Sequence, residues 1–167
     1  QARENVLAGT PYPVKGWMVY KQDPANALPD RARTLRMLEG MDFVGVVDTQ
    51  LSDTAWYADV VFPESTYLER LDPLHMLPGI WPVVVMRQQV VPPIHDTKPN
   101  LEIMQGLASR LGLSDYFDFT IEDWVEAQAE ELPVDSPLEY LKEHGVYAAQ
   151  GAPFYGSTRS PEHRFLT

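Results

Sequence analysis

The segment Phe43-Val44-Gly45-Val46-Val47-Asp48 is a short apolar run that ends abruptly at an acidic residue. Two similar runs lie on either side of it in the chain, Gly16–Tyr20 and Val60–Phe62, and Pro63 closes the latter. Apolar runs without polar alternation are typical of strands covered on both faces, as in parallel sheets. The chain is therefore predicted to be an α/β protein with a Rossmann-like parallel sheet flanked by helices.

Helical patterns separate these strands. Asp30 is a predicted N-cap, and Gly40 is the predicted end of the helix that follows it. Ser52–Tyr57 predicts a cap followed by a short helix. Residues 71–82 contain three prolines and predict a loop, whereas the β-branched residues in 83–91 predict an extended strand.

The last third of the chain is predicted to be helical and acidic. Helices are expected to begin at the caps Asn100, Thr120 and Ser136, and an irregular tail is expected after Gly145. Residues 101–145 hold 11 acidic and two basic side chains, a net charge of −9. Such a stretch is either the solvated face of surface helices or an acidic docking surface for a basic partner.

Charge and composition exclude several classes of function. The 167-residue chain has a net charge of −11 and a pI of about 4.6, which argues against nucleic-acid binding. The absence of cysteine excludes disulfides, iron–sulfur ligation and thiol catalysis by this chain. No run of 18 apolar residues occurs, and no signal-peptide pattern follows Gln1.

No self-contained active site is evident. The four histidines are far apart, and none belongs to an HxH or HExxH pair that would indicate a metal site. The GxSxG motif and the phosphate-binding loops GxGxxG and GxxxxGK[ST] are also absent. A ligand is therefore expected at the carboxyl end of the parallel sheet, where open α/β sheets bind their ligands.

Four side chains are candidates for contacts there. Asp48 could bind ribose hydroxyls or accept two N–H bonds from a guanine edge, or it could form an Asx turn towards Ser52. Asp23 has the same two interpretations. Arg70 could hold a phosphate or be an exposed arginine, and Asn100 could be a helix cap or a ligand contact.

Motifs in a fixed order resemble the third domain of the molybdopterin oxidoreductases, the dimethyl-sulfoxide-reductase superfamily. They are Val19–Pro24 (VYKQDP), Phe43–Asp48 (FVGVVD), Thr54–Pro63 (TAWYADVVFP) and Leu68–Arg70 (LER), and the similarity extends to residue 113. Within the superfamily, residues 68–73 and 96–99 are most similar to the catalytic subunits of polysulfide and thiosulfate reductases.

The resemblance implies a molybdenum bis(molybdopterin guanine dinucleotide) cofactor. It places Asp48 on one guanine base, with the backbone of Val47 beside it, and it has Arg70 facing the same nucleotide. Relatives have Gly-Thr-Asn-Pro where this chain has Lys21-Gln22-Asp23-Pro24. The implied cofactor-binding residues are Val47, Asp48, Arg70, Asn100, Asp23 and Gln22, and no catalytic residue or metal ligand is expected in this chain.

The resemblance also implies an organisation. Residues 1–113 are interpreted as the dinucleotide-binding α/β domain, and residues 114–167 as a helical extension and irregular tail leading to a C-terminal barrel domain, which is missing. The parent catalytic subunit would contain a [4Fe-4S] cluster outside this chain. Its partners would be an iron–sulfur electron-transfer subunit and a quinol-oxidising membrane subunit. The enzyme would take part in anaerobic respiration and would lie on the periplasmic side of the cytoplasmic membrane.

Several functions remain open at this point. The resemblance favours a catalytic subunit that reduces polysulfide or thiosulfate, of which this chain holds half the cofactor and does no chemistry alone. An arsenate or other oxyanion reductase of the same superfamily is the alternative enzyme. A stand-alone nucleotide-binding or docking module that kept the fold is the alternative of a different class.

Overall fold

The structure is a computed structural model and describes residues 2–77 and 83–148. Its helices are α1 (Ala2–Ala8), α2 (Pro24–Ala27), α3 (Arg31–Glu39), α4 (Asn100–Leu111), α5 (Ile121–Ala129) and α6 (Pro137–His144). Its strands are β1 (Gly16–Tyr20), β2 (Phe43–Asp48), β3 (Val60–Pro63), β4 (His75–Leu77), β5 (Val83–Val85) and β6 (Val146–Ala148). Short 3₁₀ turns lie at Ala55–Tyr57 and Ser114–Tyr116.

Strands β1, β2 and β3 form a parallel sheet in that order, which confirms the predicted α/β fold class. Val19, Val46 and Val61 are neighbours across the three strands. β-Branched side chains of this kind pack well on a pleated surface and favour strands. The sheet and α3 enclose a buried cluster of six residues: Val19, Ala25, Leu38, Val44, Val46 and Ala55.

The helix between the first two strands begins and ends as predicted. The Asp30 carboxylate accepts a hydrogen bond from the Arg33 N–H at 3.2 Å and so caps α3, and Gly40 is its C-cap. The 3₁₀ turn Ala55–Tyr57 confirms the short helix predicted before β3. These connections return the chain to the start of the next parallel strand.

A fourth segment joins the sheet beyond β3. Glu64 and Lys98 form a parallel bridge, in which the Lys98 N–H donates to the Pro63 carbonyl at 3.2 Å and the Ser65 N–H donates to the Lys98 carbonyl at 3.1 Å. The helix that follows begins one residue earlier than predicted: Pro99 is its N-cap, and Asn100 is its first residue. The prediction of Asn100 as the cap was therefore wrong, because Pro99 has the extended backbone conformation that precedes a helix.

The small antiparallel sheet β4-β5-β6 was not predicted. The segment 71–82 was expected to be a loop but contains β4, and the strand expected over 83–91 ends at Val85. The expected irregular tail begins instead with β6, in which Tyr147 pairs with Val84. These strands have three residues each, which is too short for a periodic pattern to identify them.

Two helices pack beside this antiparallel sheet. The capping box before α5 is confirmed: the Thr120 hydroxyl accepts the Asp123 N–H at 3.1 Å, and the Asp123 carboxylate accepts the Thr120 N–H at 2.8 Å. The hydrogen bonds that the Asp123 carboxylate accepts from the Thr120 N–H and from the Thr120 hydroxyl, both at 2.8 Å, lower the pKa of Asp123. Ser136 precedes α6 as predicted, but its side chain makes no capping bond. The buried core here consists of Met86, Val125, Ala129 and Leu141.

The described residues divide into two compact units. The first unit contains the residues up to Thr66 together with Pro93–Gly112, and the second contains those of 67–92 and 113–148. The functional domains 1–113 and 114–167 stay a prediction, and the tail expected after residue 148 lies outside the described residues. Within 2–77 and 83–148, no helix has the length and apolarity needed to cross a membrane.

Candidate functional site

The carboxyl ends of β1, β2, β3 and the Lys98 bridge meet at one side of the first unit, which we call the carboxyl edge. Neighbouring strands in a sheet are about 4.8 Å apart, so these four segments span about 14 Å. Asp48 lies in register with Pro63 at this edge, and the Glu64 N–H donates to the Asp48 carbonyl at 2.9 Å. Open parallel sheets bind ligands at this edge.

Asp48 is half-buried and has an oxygen available. Its Oδ1 accepts the N–H of Thr49 at 2.8 Å, while its Oδ2 accepts no hydrogen bond from any residue that the structure describes. The alternative, an Asx turn leading towards Ser52, stays a prediction, and the Ser52 N–H donates to the Gln50 carbonyl at 2.9 Å. Val47, next to Asp48, is buried and its backbone lies within β2, between Tyr20 and Phe62.

The loop after β1 contains three residues with distinct roles. Lys21 has a left-handed backbone (φ +54°), which is the conformation that glycine adopts most readily. Gln22 is exposed. Asp23 is tied to the second loop of the edge: its Oδ1 accepts the Thr54 hydroxyl at 2.6 Å and the Thr54 N–H at 3.0 Å.

Asn100 has a buried oxygen without a partner. Its Oδ1 is inaccessible to solvent and accepts no hydrogen bond from the described part of the chain. A buried acceptor left unsatisfied costs about 1–3 kcal/mol, so native proteins almost always pair one. Asn100 lies two residues beyond Lys98, at the end of the carboxyl edge, and its amide oxygen therefore fits a hydrogen-bond donor supplied by a bound group.

Arg70 belongs to the second unit and is not exposed, so the exposed-arginine alternative was wrong. Its side chain is 6% exposed, and its Nε donates to Asp72 Oδ1 at 2.7 Å. The other Asp72 oxygen lies 3.0 Å from Nη2 of Arg87. Arg70 is thus held in a buried ion pair, and its contact with a cofactor stays a prediction.

Sequence reasoning missed two buried polar residues at the carboxyl edge. Glu64 is buried, and its Oε1 accepts the hydroxyl of Tyr20 at 3.0 Å. Ser65 is also buried, with its Oγ 3.0 Å from the Thr97 hydroxyl. Both follow directly after β3, so their place in the chain was the only available signal. In the described ranges, no cluster of His, Cys, Asp and Glu side chains could hold a metal ion.

A parallel sheet with hydrogen-bond acceptors at its carboxyl edge is typical of the α/β proteins that bind their ligands at that edge. Within that class, the chain belongs to the molybdopterin oxidoreductase family, whose profile matches residues 4–110. The family resemblance noted in the sequence is thereby confirmed. Membership of this family implies a molybdopterin cofactor.

Two curated relatives and one solved structure illustrate the similarity. The thiosulfate reductase molybdopterin-containing subunit PhsA of Salmonella typhimurium is 34% identical over 160 residues, which are 95% of this chain and 20% of that protein. The sulfite dehydrogenase of Allochromatium vinosum is 33% identical over 123 residues, which are 65% of this chain and 13% of the matching polypeptide.

The solved structure supports the fold. Acetylene hydratase from Pelobacter acetylenicus matches with a TM-score of 0.70 and 24% sequence identity, over 89% of this chain and 20% of that one. The chain thus spans a fifth or less of the length of these three proteins.

Proposed function

We propose that this chain is part of the catalytic subunit of a molybdenum bis(molybdopterin guanine dinucleotide) oxidoreductase that reduces thiosulfate or polysulfide. The observation that carries the proposal is the 34% identity, across 95% of the chain, with a molybdopterin-containing subunit of thiosulfate reductase. In this proposal the chain holds one guanine dinucleotide and does no chemistry alone. The bound cofactor supplies the two-electron transfer to the sulfur substrate.

The geometry of the carboxyl edge supports a nucleotide contact. The guanine edge presents two N–H donors, and a carboxylate that accepts both makes a charge-assisted pair. Asp48 Oδ2 has no other partner among the described residues and is suited to this role. The buried Asn100 Oδ1 requires a donor, which a bound dinucleotide would provide.

The substrate in this proposal is assigned from the similarity to relatives, because the residues of the carboxyl edge do not identify it. The three proteins matched above are named for thiosulfate, sulfite and acetylene, although each contains a segment similar to this one. A shared segment cannot distinguish these substrates, so the residues that do must lie elsewhere in the parent protein. Thiosulfate is favoured because that relative matches almost the whole chain.

The partners in this proposal follow from the resemblance to polysulfide and thiosulfate reductases. Without cysteine it cannot ligate a [4Fe-4S] cluster, so the remainder of the catalytic subunit would do so. Electrons would arrive through an iron–sulfur subunit from a quinol-oxidising membrane subunit, on the periplasmic side of the cytoplasmic membrane. The thiosulfate reductase relative is named as one molybdopterin-containing subunit, which agrees with an assembly of several polypeptides.

The test is made on the full-length protein that contains this sequence, purified from its native source. Molybdenum, tungsten and the guanosine monophosphate released by acid hydrolysis are counted per polypeptide, and reduction of thiosulfate, polysulfide and arsenate is assayed with a reduced dye. We expect molybdenum, about two guanosine monophosphates and turnover of a sulfur substrate. Turnover of arsenate alone would favour the oxyanion reductase. A protein without metal or nucleotide would favour a binding module.

A further inference from the structure

Asp23 and Thr54 lie in the two loops of the carboxyl edge. The side chain of each one bonds to the other loop and does not cap the helix that follows it. Asp23 is the N-cap residue of α2 but makes no capping bond there, and Thr54 precedes the 3₁₀ turn Ala55–Tyr57 without capping it. Instead, the Thr54 hydroxyl oxygen accepts the N–H of Ala25 in α2 at 3.0 Å. Its hydroxyl hydrogen and its N–H are both donated to Asp23 Oδ1, at 2.6 and 3.0 Å.

The hydrogen bond between Ala25 and Thr54 is buried, and the two bonds to Asp23 are partly buried. Thr54 and Ala25 are both 0% exposed. Buried polar groups of this kind are worth most when each one is satisfied, and the hydroxyl here uses both its donor and an acceptor site. The bonds join residues about 30 positions apart in the sequence, so they fix the distance between the two loops.

A second connection on the adjacent residue reinforces the first. Nη1 of Arg31 donates to the Ala25 carbonyl at 3.1 Å and to Asp53 Oδ2 at 2.6 Å. The hydrogen bond with Asp53 raises the pKa of Arg31. Residues 53 and 54 are therefore both attached to α2, through opposite ends of the Ala25 residue.

The loops that Thr54 joins contain predicted cofactor contacts. Gln22 lies between Lys21, whose left-handed backbone is unfavourable in an L-residue, and Asp23, which is bonded to Thr54. Asp48 is the last residue of β2, and the second loop follows it and ends at Thr54. A strained turn persists only where neighbouring structure holds it, and Asp23, two residues beyond Lys21, is bonded to Thr54.

We propose that Thr54 is a positioning residue for the dinucleotide site, acting through Asp23 on the Lys21–Asp23 loop. The inference rests on the proposed function, because it assumes that a guanine dinucleotide lies at the carboxyl edge. Thr54 itself, fully buried, does not touch the nucleotide. It sets where Gln22 and the Lys21 backbone lie relative to Asp48, so that all of them face the ligand together.

The experiment compares Thr54→Val, Thr54→Ser and Thr34→Val in the full-length protein loaded with cofactor. Thr34 is the matched control, since it is also fully buried and its hydroxyl accepts a hydrogen bond from Arg3 Nη1 at 2.8 Å, away from both loops. Each variant is assayed for bound guanosine monophosphate per polypeptide, for the rate of its loss on dilution, and for thermal midpoint.

We expect Thr54→Val to lose the nucleotide about tenfold faster or more, as is usual when a residue supporting a ligand contact is removed. Thr54→Ser keeps the hydroxyl and should restore retention. Thr34→Val should lower the thermal midpoint without faster loss. Equal retention in Thr54→Val and the wild type, or equally fast loss in Thr34→Val, would overturn the inference.

If Thr54→Val does not accumulate as folded protein, Asp23→Asn is the second variant, because it keeps the side-chain volume, removes the charge and replaces one acceptor oxygen with an NH₂ donor. Hydrogen exchange at the Ala25 and Thr54 amides should then quicken together with nucleotide loss. Quicker exchange with unchanged retention would refute positioning by Thr54. Retention that depends on Asp48 but not on Thr54 would leave the proposed function standing, whereas a wild-type protein without nucleotide would remove both.

Discussion

Replacing Asp48 by asparagine tests the guanine contact directly. The carboxylate has one oxygen occupied by the Thr49 N–H at 2.8 Å and one without a described partner. A guanine edge donates two N–H bonds, and asparagine would present an NH₂ donor to one of them. Loss of a hydrogen bond to a charged group costs about 1.5–3 kcal/mol, which is about a 10- to 150-fold loss of affinity for the nucleotide.

The assay counts guanosine monophosphate per polypeptide in the purified full-length protein and follows its loss on dilution. Asp42→Asn is the matched control, because Asp42 lies at the opposite end of β2 in an exposed pair with Lys15, 3.7 Å away. We expect it to retain the nucleotide as the wild type does. A folded Asp48→Asn protein with wild-type content and retention would refute the contact, and equal loss in Asp42→Asn would show that the effect is not specific.

Three further predictions concern the second unit of the full-length protein, followed by hydrogen exchange of its peptides. Leu141→Ala should lower the unfolding free energy by about 2–5 kcal/mol, because Leu141 is fully buried and leaves a cavity. Asp72→Asn should cost about 3–5 kcal/mol, since it removes the carboxylate of a buried ion pair with Arg70. The protection of α5 should fall as the pH drops below about 4, because a carboxylate whose pKa is lowered on folding stabilises only while ionised. In Thr120→Ala, which removes one hydrogen bond to Asp123, that pH dependence should weaken.

The first two of these predictions each have a control in the same unit. Leu113→Ala removes an exposed leucine and should change stability by less than about 0.5 kcal/mol. Glu139→Gln breaks an exposed ion pair with Lys142 and should cost much less than Asp72→Asn. If a control variant loses as much unfolding free energy as the variant it is paired with, burial does not stabilise the second unit as described. If the protection of α5 is independent of pH, the hydrogen bonds to Asp123 do not stabilise that helix.

The parallel sheet was predictable because its strands are valine-rich runs closed by Asp48 and Pro63. The antiparallel sheet was not, because β6 pairs with β5 from about 60 residues away and each strand is too short to show a pattern. Sequence patterns predict turns and helix caps well when the residues involved are close together in the sequence, as at Thr120. They fail when a distant segment decides the structure.

Some features of the candidate site were likewise predictable from the sequence, and others were not. Asp48 was predictable because its position depends only on where β2 ends. The bond of Asp23 to Thr54 was not, because it depends on how close two loops come in space. The burial of Arg70 depends on Asp72 and Arg87, which no sequence motif connected with it.

The Lys98 bridge has a consequence for how the chain is threaded. The polypeptide leaves the first unit after Thr66, returns to it at Pro93, and leaves again after Gly112. Three crossings mean that one proteolytic cut cannot release either unit as a single intact polypeptide. During synthesis, β1 to β3 can pair as soon as they emerge, but the bridge and α4 must wait for residues 67–92. The carboxyl edge is therefore completed late, after the intervening segment has left the ribosome.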